Sequence, residues 1–197
     1  GILLDEPWFP QPATADDYYP YDATSQAMFA AQFGHPMPDR DDAEVELFRQ
    51  RSMTALLREL TDLAKQIRPG LQTALVVLPE VDLLTRDVNG TRDWQALADI
   101  PSLDELHTDP YWPTRGLSFS LFADNAARLQ GTARRKTLRT GLWVQAYLLR
   151  AEDSDTVRQG LMHARRLGID TIHAWLTPQA ANEDDAAVRA HIADAFR

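Results

Sequence analysis

The chain has 197 residues, 44% hydrophobic and 25% charged, the balance of a globular protein with enough length for one substantial core. Its net charge of −9 and isoelectric point near 4.9 count against nucleic acid or an anionic membrane as a partner. The absence of cysteine excludes a disulfide framework, a thiol nucleophile and cysteine-ligated zinc, and no apolar run approaches the length that spans a bilayer.

The chain opens on Ile2, Leu3 and Leu4, which run straight into Asp5, Glu6, Pro7, Trp8 and Phe9. Such an apolar run predicts a buried strand, and Pro7, which cannot donate to a ladder, ends it. Asp5 and Glu6 are thereby placed at the carboxyl end of a strand, where α/β folds keep their chemistry. A buried strand so early in the chain leads us to expect neighbours from an amino-terminal portion or from another chain.

From Gln11 to Arg40 the sequence is polar and aromatic, with Tyr18, Tyr19, Tyr21, Phe29 and Phe33 among Pro12, Pro20, Pro36 and Pro38. We read a long insertion at about 8–40 within a single domain of 1–197, holding one short helix from Thr24 to Phe33 that Gly34 and Pro36 stop. Asp41 and Glu44 are spaced as a capping box. Val45, Phe48, Met53, Leu56, Leu60, Leu63 and Ile67 then recur at helical spacing. They predict a long amphipathic helix that buries these residues, turns Arg49, Arg51, Arg58 and Glu59 to water, and ends at Pro69-Gly70.

Thr73–Leu78 is the clearest strand, followed by Pro79, Glu80 and Asp82. After it we predict a helix from Asp93 to Asp99, a strand from Leu103 to Asp109 and a helix from Leu117 to Gln130. A strand from Leu142 to Tyr147 follows, then a helix capped by Ser154 and closed by Gly168. A strand from Asp170 to Trp175 and a helix over 183–196, capped by Asn182, complete the pattern. Strands that alternate with helices run parallel. No glycine-rich phosphate loop opens a helix, so no dinucleotide is expected; no cofactor and no resident metal enter the principal reading.

The strand faces choose the architecture. Glu105, His107 and Asp109 share one row, as do Trp143, Gln145 and Tyr147, and Thr171, His173 and Trp175. The opposite rows are aliphatic or small. An open sheet covered on both faces would be apolar on both, whereas a barrel turns one row to outer helices and the other to a ligand-bearing interior. We expect a (β/α)8 TIM barrel of which this chain carries five β/α units, its amino-terminal strands missing or supplied by another chain. Its first and last strands then present pairing edges, which invite a completing chain or an oligomer.

The strand-end residues carry a resemblance to the carboxyl-terminal part of (β/α)8 glycoside hydrolases, from the fourth strand onward. Asp5-Glu6-Pro7 resembles the Asn-Glu pair that ends the fourth strand in clan A, and equally the Asp-Glu pair of β-hexosaminidases. Asp109-Pro110-Tyr111-Trp112 looks like a sixth-strand end, Trp143 to Tyr147 like a seventh strand, and Trp175 like an eighth. The resemblance implies a carbohydrate substrate and Glu6 as the acid that protonates the leaving oxygen. It departs at the seventh strand, where Gln145, Ala146 and Tyr147 stand in place of a nucleophilic glutamate. Two mechanisms fit that departure. In a substrate-assisted one, Asp5 orients an acetamido group and Tyr147 hydrogen-bonds it. In an inverting one, Asp109 or Glu80 activates water.

Aromatic side chains suit sugars, whose C–H faces stack on them, and Trp8, Tyr111, Trp112, Trp143 and Trp175 fall at or near strand ends. Gln145 is the polar substrate contact on the same row. Two other classes stay open on the residues alone. Glu105, His107, Asp109 and His173 offer nitrogen and oxygen ligands for a metal-dependent barrel hydrolase or isomerase. A non-catalytic sugar-binding or assembly component would also fit an incomplete barrel without a nucleophile.

Overall fold

The computed structural model describes residues 1–9, 21–39, 42–79, 89–113, 116–134, 136–147, 149, 153–175 and 190. Strands β1 (Ile2–Leu4), β2 (Thr73–Val77), β3 (Glu105–Thr108), β4 (Arg139–Gln145) and β5 (Thr171–Trp175) form one sheet in sequence order. Every neighbouring pair is parallel, with Leu3 beside Ala74, Ala74 beside Glu105, Glu105 beside Arg139 and Trp143 beside His173. Helices α1 (Ala23–Phe33), α2 (Ala43–Ile67), α3 (Trp94–Ala98), α4 (Phe119–Ala133) and α5 (Ser154–Leu167) fall between the strands. The architecture is a half-barrel of α/β TIM-barrel type. The helix expected over 183–196 lies almost wholly outside the described residues, as do Glu80 and Asp82.

The two strand rows separate as their side chains demand. Leu75, Val77, Leu106, Leu142 and Val144 bury themselves against Met53, Leu97, Phe122, Leu129, Val157 and Leu161 of the helices, making the main core. Glu105, His107, Trp143 and His173 occupy the other face. Phe29 of α1 packs with Val45 and Phe48 of α2 into a small separate cluster. Helix ends follow local chemistry: Asp22 accepts from the amides of Thr24 and Ser25, Asp42 from Glu44, and Asp93 from Gln95 and Ala96. The cap position of α5 is Asp153, one residue before the expected Ser154.

A repeated staple fixes the amino-terminal ends of the strands. Asp104, just before β3, accepts from the backbone of Thr73 at 2.8 Å and from Lys65 at 2.5 Å. Asp170, just before β5, accepts from the backbone of Thr140 at 2.7 Å and from its hydroxyl at 2.8 Å. Burial pushes the Asp104 carboxyl up, but the hydrogen bonds from Lys65 and Thr73 outweigh it and hold it below 3.8. These contacts explain why β3 and β5 start one or two residues later than the apolar runs suggested.

The long helix turns a different face inward from the one expected. Met53, Leu57, Thr61 and Ala64 meet the core, while Leu56 (49%), Leu60 (40%), Leu63 (49%) and Ile67 (77%) remain exposed. The apolar arc of α2 is wider than one face. The sheet takes the side carrying Thr61 and Ala64, where small side chains let helix and strands approach. Thr61 loses nothing there, because its hydroxyl bonds Leu57 O at 2.9 Å and Ser102 Oγ at 2.7 Å. Arg49, expected in solvent, is buried where α2 runs past Gly90.

Candidate functional site

At the carboxyl end of β1 the backbone turns sharply. Glu6 has φ of 42°, a left-handed conformation that a non-glycine residue holds at a cost of about 1–3 kcal/mol. The chain is anchored three residues on: Phe9 donates its amide to Asn89 O at 3.4 Å and lays its ring over Gly90, where an added Cβ would meet it at 2.9 Å. Trp8, between Glu6 and this anchor, stays about half exposed. The strained residue is thus one of the two acids singled out from the sequence.

Across the sheet, the segment after β3 brings Asp109 and Tyr111 to the same end. Both are buried, and the amide of Tyr111 donates to Asp109 O at 2.7 Å. Tyr111 meets Tyr147, just beyond β4, edge to face with centroids 5.7 Å apart. Gln145 donates its side-chain amide to Tyr147 O at 3.1 Å, so it serves to hold that residue in place. Burial raises the Tyr111 hydroxyl far above its ordinary pKa, and Asp109, Tyr147, Glu6 and Asp5 each push it further in the same direction. Parallel strand order places Asp5 and Glu6 after β1, Asp109 and Tyr111 after β3, and Tyr147 after β4 at the same carboxyl-terminal end of the sheet. Burial and then the charge of Glu6 raise the Asp5 carboxyl as well.

Deeper on the same face lies a locked polar stack. Trp143 donates its indole N–H to His107 Nδ1 at 3.3 Å, and His107 Nε2 meets Glu105 Oε2 at 3.1 Å. Glu105 also pairs with Arg139 at 3.1 Å. His173 stacks on Trp143 with centroids 4.3 Å apart and on His107 at 5.4 Å. Trp175 touches the edge of Trp143 at 5.9 Å and leaves 43% of its surface at the mouth. Gly141 makes the stack possible, because the His107 ring lies flat over it.

This geometry corrects two expectations. Glu105, His107, Asp109 and His173 do not form a ligand set: both nitrogens of His107 are engaged by Trp143 and Glu105, and Glu105 is shared with Arg139. Among the described residues no group of three or more acidic or histidine side chains is arranged to hold a metal ion. Trp112 is not a sugar platform either; it is 1% exposed and packs on Phe122 at 4.4 Å and Phe119 at 5.9 Å, in the helix-side core. Trp143, by contrast, sits mid-strand on the interior face. Arg139 escaped notice because the β4 run was read from Leu142, and Gly141 because no glycine rule marks a ring lying across a strand.

No protein family and no curated protein matches this sequence. Solved structures do match in shape. A Bacteroides thetaiotaomicron protein assigned as an alpha-L-fucosidase is 14% identical with a TM-score of 0.57, over 73% of this chain and 49% of that one. The endo-1,4-beta-mannanase of Rhizomucor miehei is 13% identical with a TM-score of 0.56, over 75% and 46%. An endo-1,4-beta-D-mannanase of Thermotoga petrophila is 12% identical with a TM-score of 0.52, over 75% and 52%. What is shared at these identities is the barrel fold, and the matched region is about half the length of those chains.

Proposed function

We propose that this chain carries the catalytic end of a glycoside hydrolase, with Glu6 as the general acid. Glu6 gives its proton to the glycosidic oxygen as the bond to the anomeric carbon breaks. Asp109 takes a proton from the water that attacks that carbon from the opposite face, leaving an inverted hemiacetal. On an N-acetylated sugar Asp5 accepts from the acetamido N–H and so aims the acetamido oxygen at the anomeric carbon, where it closes in place of water and the resulting oxazoline is then opened by water. Trp8 and Trp175 offer exposed aromatic surface at the mouth, and Tyr147, held by the buried Gln145, supplies a polar contact. The observation that carries this reading is the placement of Asp5, Glu6 and Asp109 at the carboxyl ends of β1 and β3, with the rings of Tyr111 and Tyr147 in contact at that same end. That is the end at which barrel enzymes act. The fold shared with a fucosidase-like protein and two mannanases supports the same class.

The test is hydrolysis of a panel of aryl glycosides, N-acetylhexosaminides included, in a polypeptide with the barrel complete. Glu6→Gln should lower kcat/KM by about 10²–10⁴-fold while leaving the fold intact. A preference for N-acetylated substrates selects the acetamido route, and an inverted product on plain glycosides selects Asp109. Undiminished activity in the variant removes Glu6 from its role. Sugar binding without turnover on any substrate favours a non-catalytic binding protein.

A further inference from the structure

Helix α2 carries an uncovered ridge that is its own complement. Leu47, Arg51, Ala55, Glu59 and Leu63 stand four residues apart, so they form one row on the helix surface. All five are exposed, and all five line an open groove along α2 that Asp93 and Ala96 border at α3. At 100° per residue Ala55 lies about 180° round from the core-facing Met53, Leu57 and Ala64. Helices flanking α2 in a barrel's outer ring would therefore leave the middle of the row facing outward. Outward from Ala55 the row has matched chemistry: a cation on one side and an anion on the other at equal spacing, then a leucine at each end.

We propose that this row is the contact of a two-fold dimer, in which the α2 helices of two copies of the chain cross antiparallel at Ala55. The axis passes beside Ala55 and sets each residue against its complement. Arg51 meets the partner's Glu59, Glu59 meets the partner's Arg51, and Leu47 and Leu63 face the partner's Leu63 and Leu47. Rows of this spacing pack into each other's grooves in the commonest class of helix crossing, at about 50°, and the small Ala55 lets the axes approach to about 8 Å. Leu47 and Leu63, now 38% and 49% exposed, are covered in the pairing. Arg51 already lies over the Phe33 ring, 5.6 Å from its centroid, so less side-chain freedom is lost when it pairs. Arg51 and Glu59 are about 12 Å apart along their own helix, too far to pair with each other. Among the described residues neither forms a salt bridge within the chain. Self-complementarity is what selects a second copy, because an unlike partner has no need of a row that matches itself on reversal. The row's charges cancel, which disfavours nucleic acid or a lipid surface. The pairing is independent of the chemistry proposed at the strand ends.

The test is sedimentation equilibrium of the whole 197-residue chain and of two charge reversals, Arg51→Glu and Glu59→Arg. The parent should pass from monomer to dimer between about 1 and 100 µM. Each reversal turns both interchain pairs repulsive and should raise the dissociation constant at least about 10-fold. Both positions are exposed, so each variant should keep the parent's far-UV circular dichroism. The Arg51→Glu chain is acidic at both positions and the Glu59→Arg chain basic at both. An equimolar mixture of the two should therefore recover the parent's dimerisation as a heterodimer, and a chain carrying both reversals should recover it alone. Recovery in the mixture is what a general loss of solubility or structure would not give. A parent that stays monomeric throughout that range overturns the proposal. So does a dimer that neither reversal weakens, which puts the contact elsewhere, as at the edge of β1. Weakening by both reversals without recovery on mixing overturns the antiparallel pairing at Ala55.

Discussion

Trp143 places its indole N–H on Nδ1 of His107 at 3.3 Å, and this one contact fixes the tautomer of the imidazole. Nδ1 accepts, so the ring proton is on Nε2, from which it reaches Glu105 at 3.1 Å. A second proton on the ring would set two donors face to face. Burial lowers the His107 pKa below its ordinary 6.5, against the pull of Glu105 and with help from Arg139. His173, stacked on the same ring, is lowered by burial and by His107.

The sign of the pH effect follows. The fold prefers both imidazoles neutral, while the unfolded chain takes up protons as pH falls through 6.5. Their contribution is complete above that value and is lost progressively below it. The melting temperature should therefore hold steady from pH 8 to about 7 and decline between about 6.5 and 5, before the stapling carboxylates begin to titrate. His107→Gln should flatten that decline without abolishing it, since His173 remains. An unchanged slope in the variant, measured by calorimetry across the same buffers, would remove His107 as its source.

Gly141 offers a sharper test of the same stack. A Cβ there would stand 2.4 Å from three atoms of the His107 ring, which Trp143 and Glu105 prevent from swinging away. Gly141→Ala should cost about 1–3 kcal/mol in denaturant unfolding. In a chain already carrying His107→Ala the same methyl has open room, so the two changes should couple by about 1 kcal/mol or more. Strict additivity would mean that the ring moves freely and that the stack is not the rigid unit described.

Much of this arrangement was legible in the residues, because periodicity reports which side a strand or helix turns to its neighbours. Glu105, His107, Trp143 and His173 alternate with aliphatic residues, and the alternation correctly assigned one row to the helices and the other to the interior. The same reasoning failed on α2, where leucines at 56, 60 and 63 outnumber the small residues that face the sheet. Periodicity finds an apolar arc, but only packing selects the part of it that is covered. It failed again at Trp112, since a tryptophan between prolines reads alike whether its loop turns toward the mouth or toward Phe122. The left-handed backbone of Glu6 had no sequence signal at all. The placement of Asp109 at the same end as Asp5 and Glu6 was legible because all three were assigned to strand ends and the strands run parallel.

Tyr111 lies at that same end of the sheet, and its hydroxyl separates a chemical role from a structural one. Burial, then the negative charges of Asp109, Glu6 and Asp5, keep it protonated well beyond any pH at which the protein would work. It is a permanent neutral donor, and it cannot be the group whose ionisation sets an alkaline limit on activity. Tyr111→Phe preserves the ring that meets Tyr147 at 5.7 Å and removes only the oxygen. If that donor holds a sugar hydroxyl or the charge that develops on it, kcat/KM should fall by about 10–100-fold, the range for a hydrogen bond to a charged partner. The alkaline limb of the pH–rate profile should stay where it was. A shift of that limb would contradict the protonation state assigned to Tyr111. Unchanged kcat/KM, with an unchanged melting temperature, would reduce the residue to the packing partner of Tyr147.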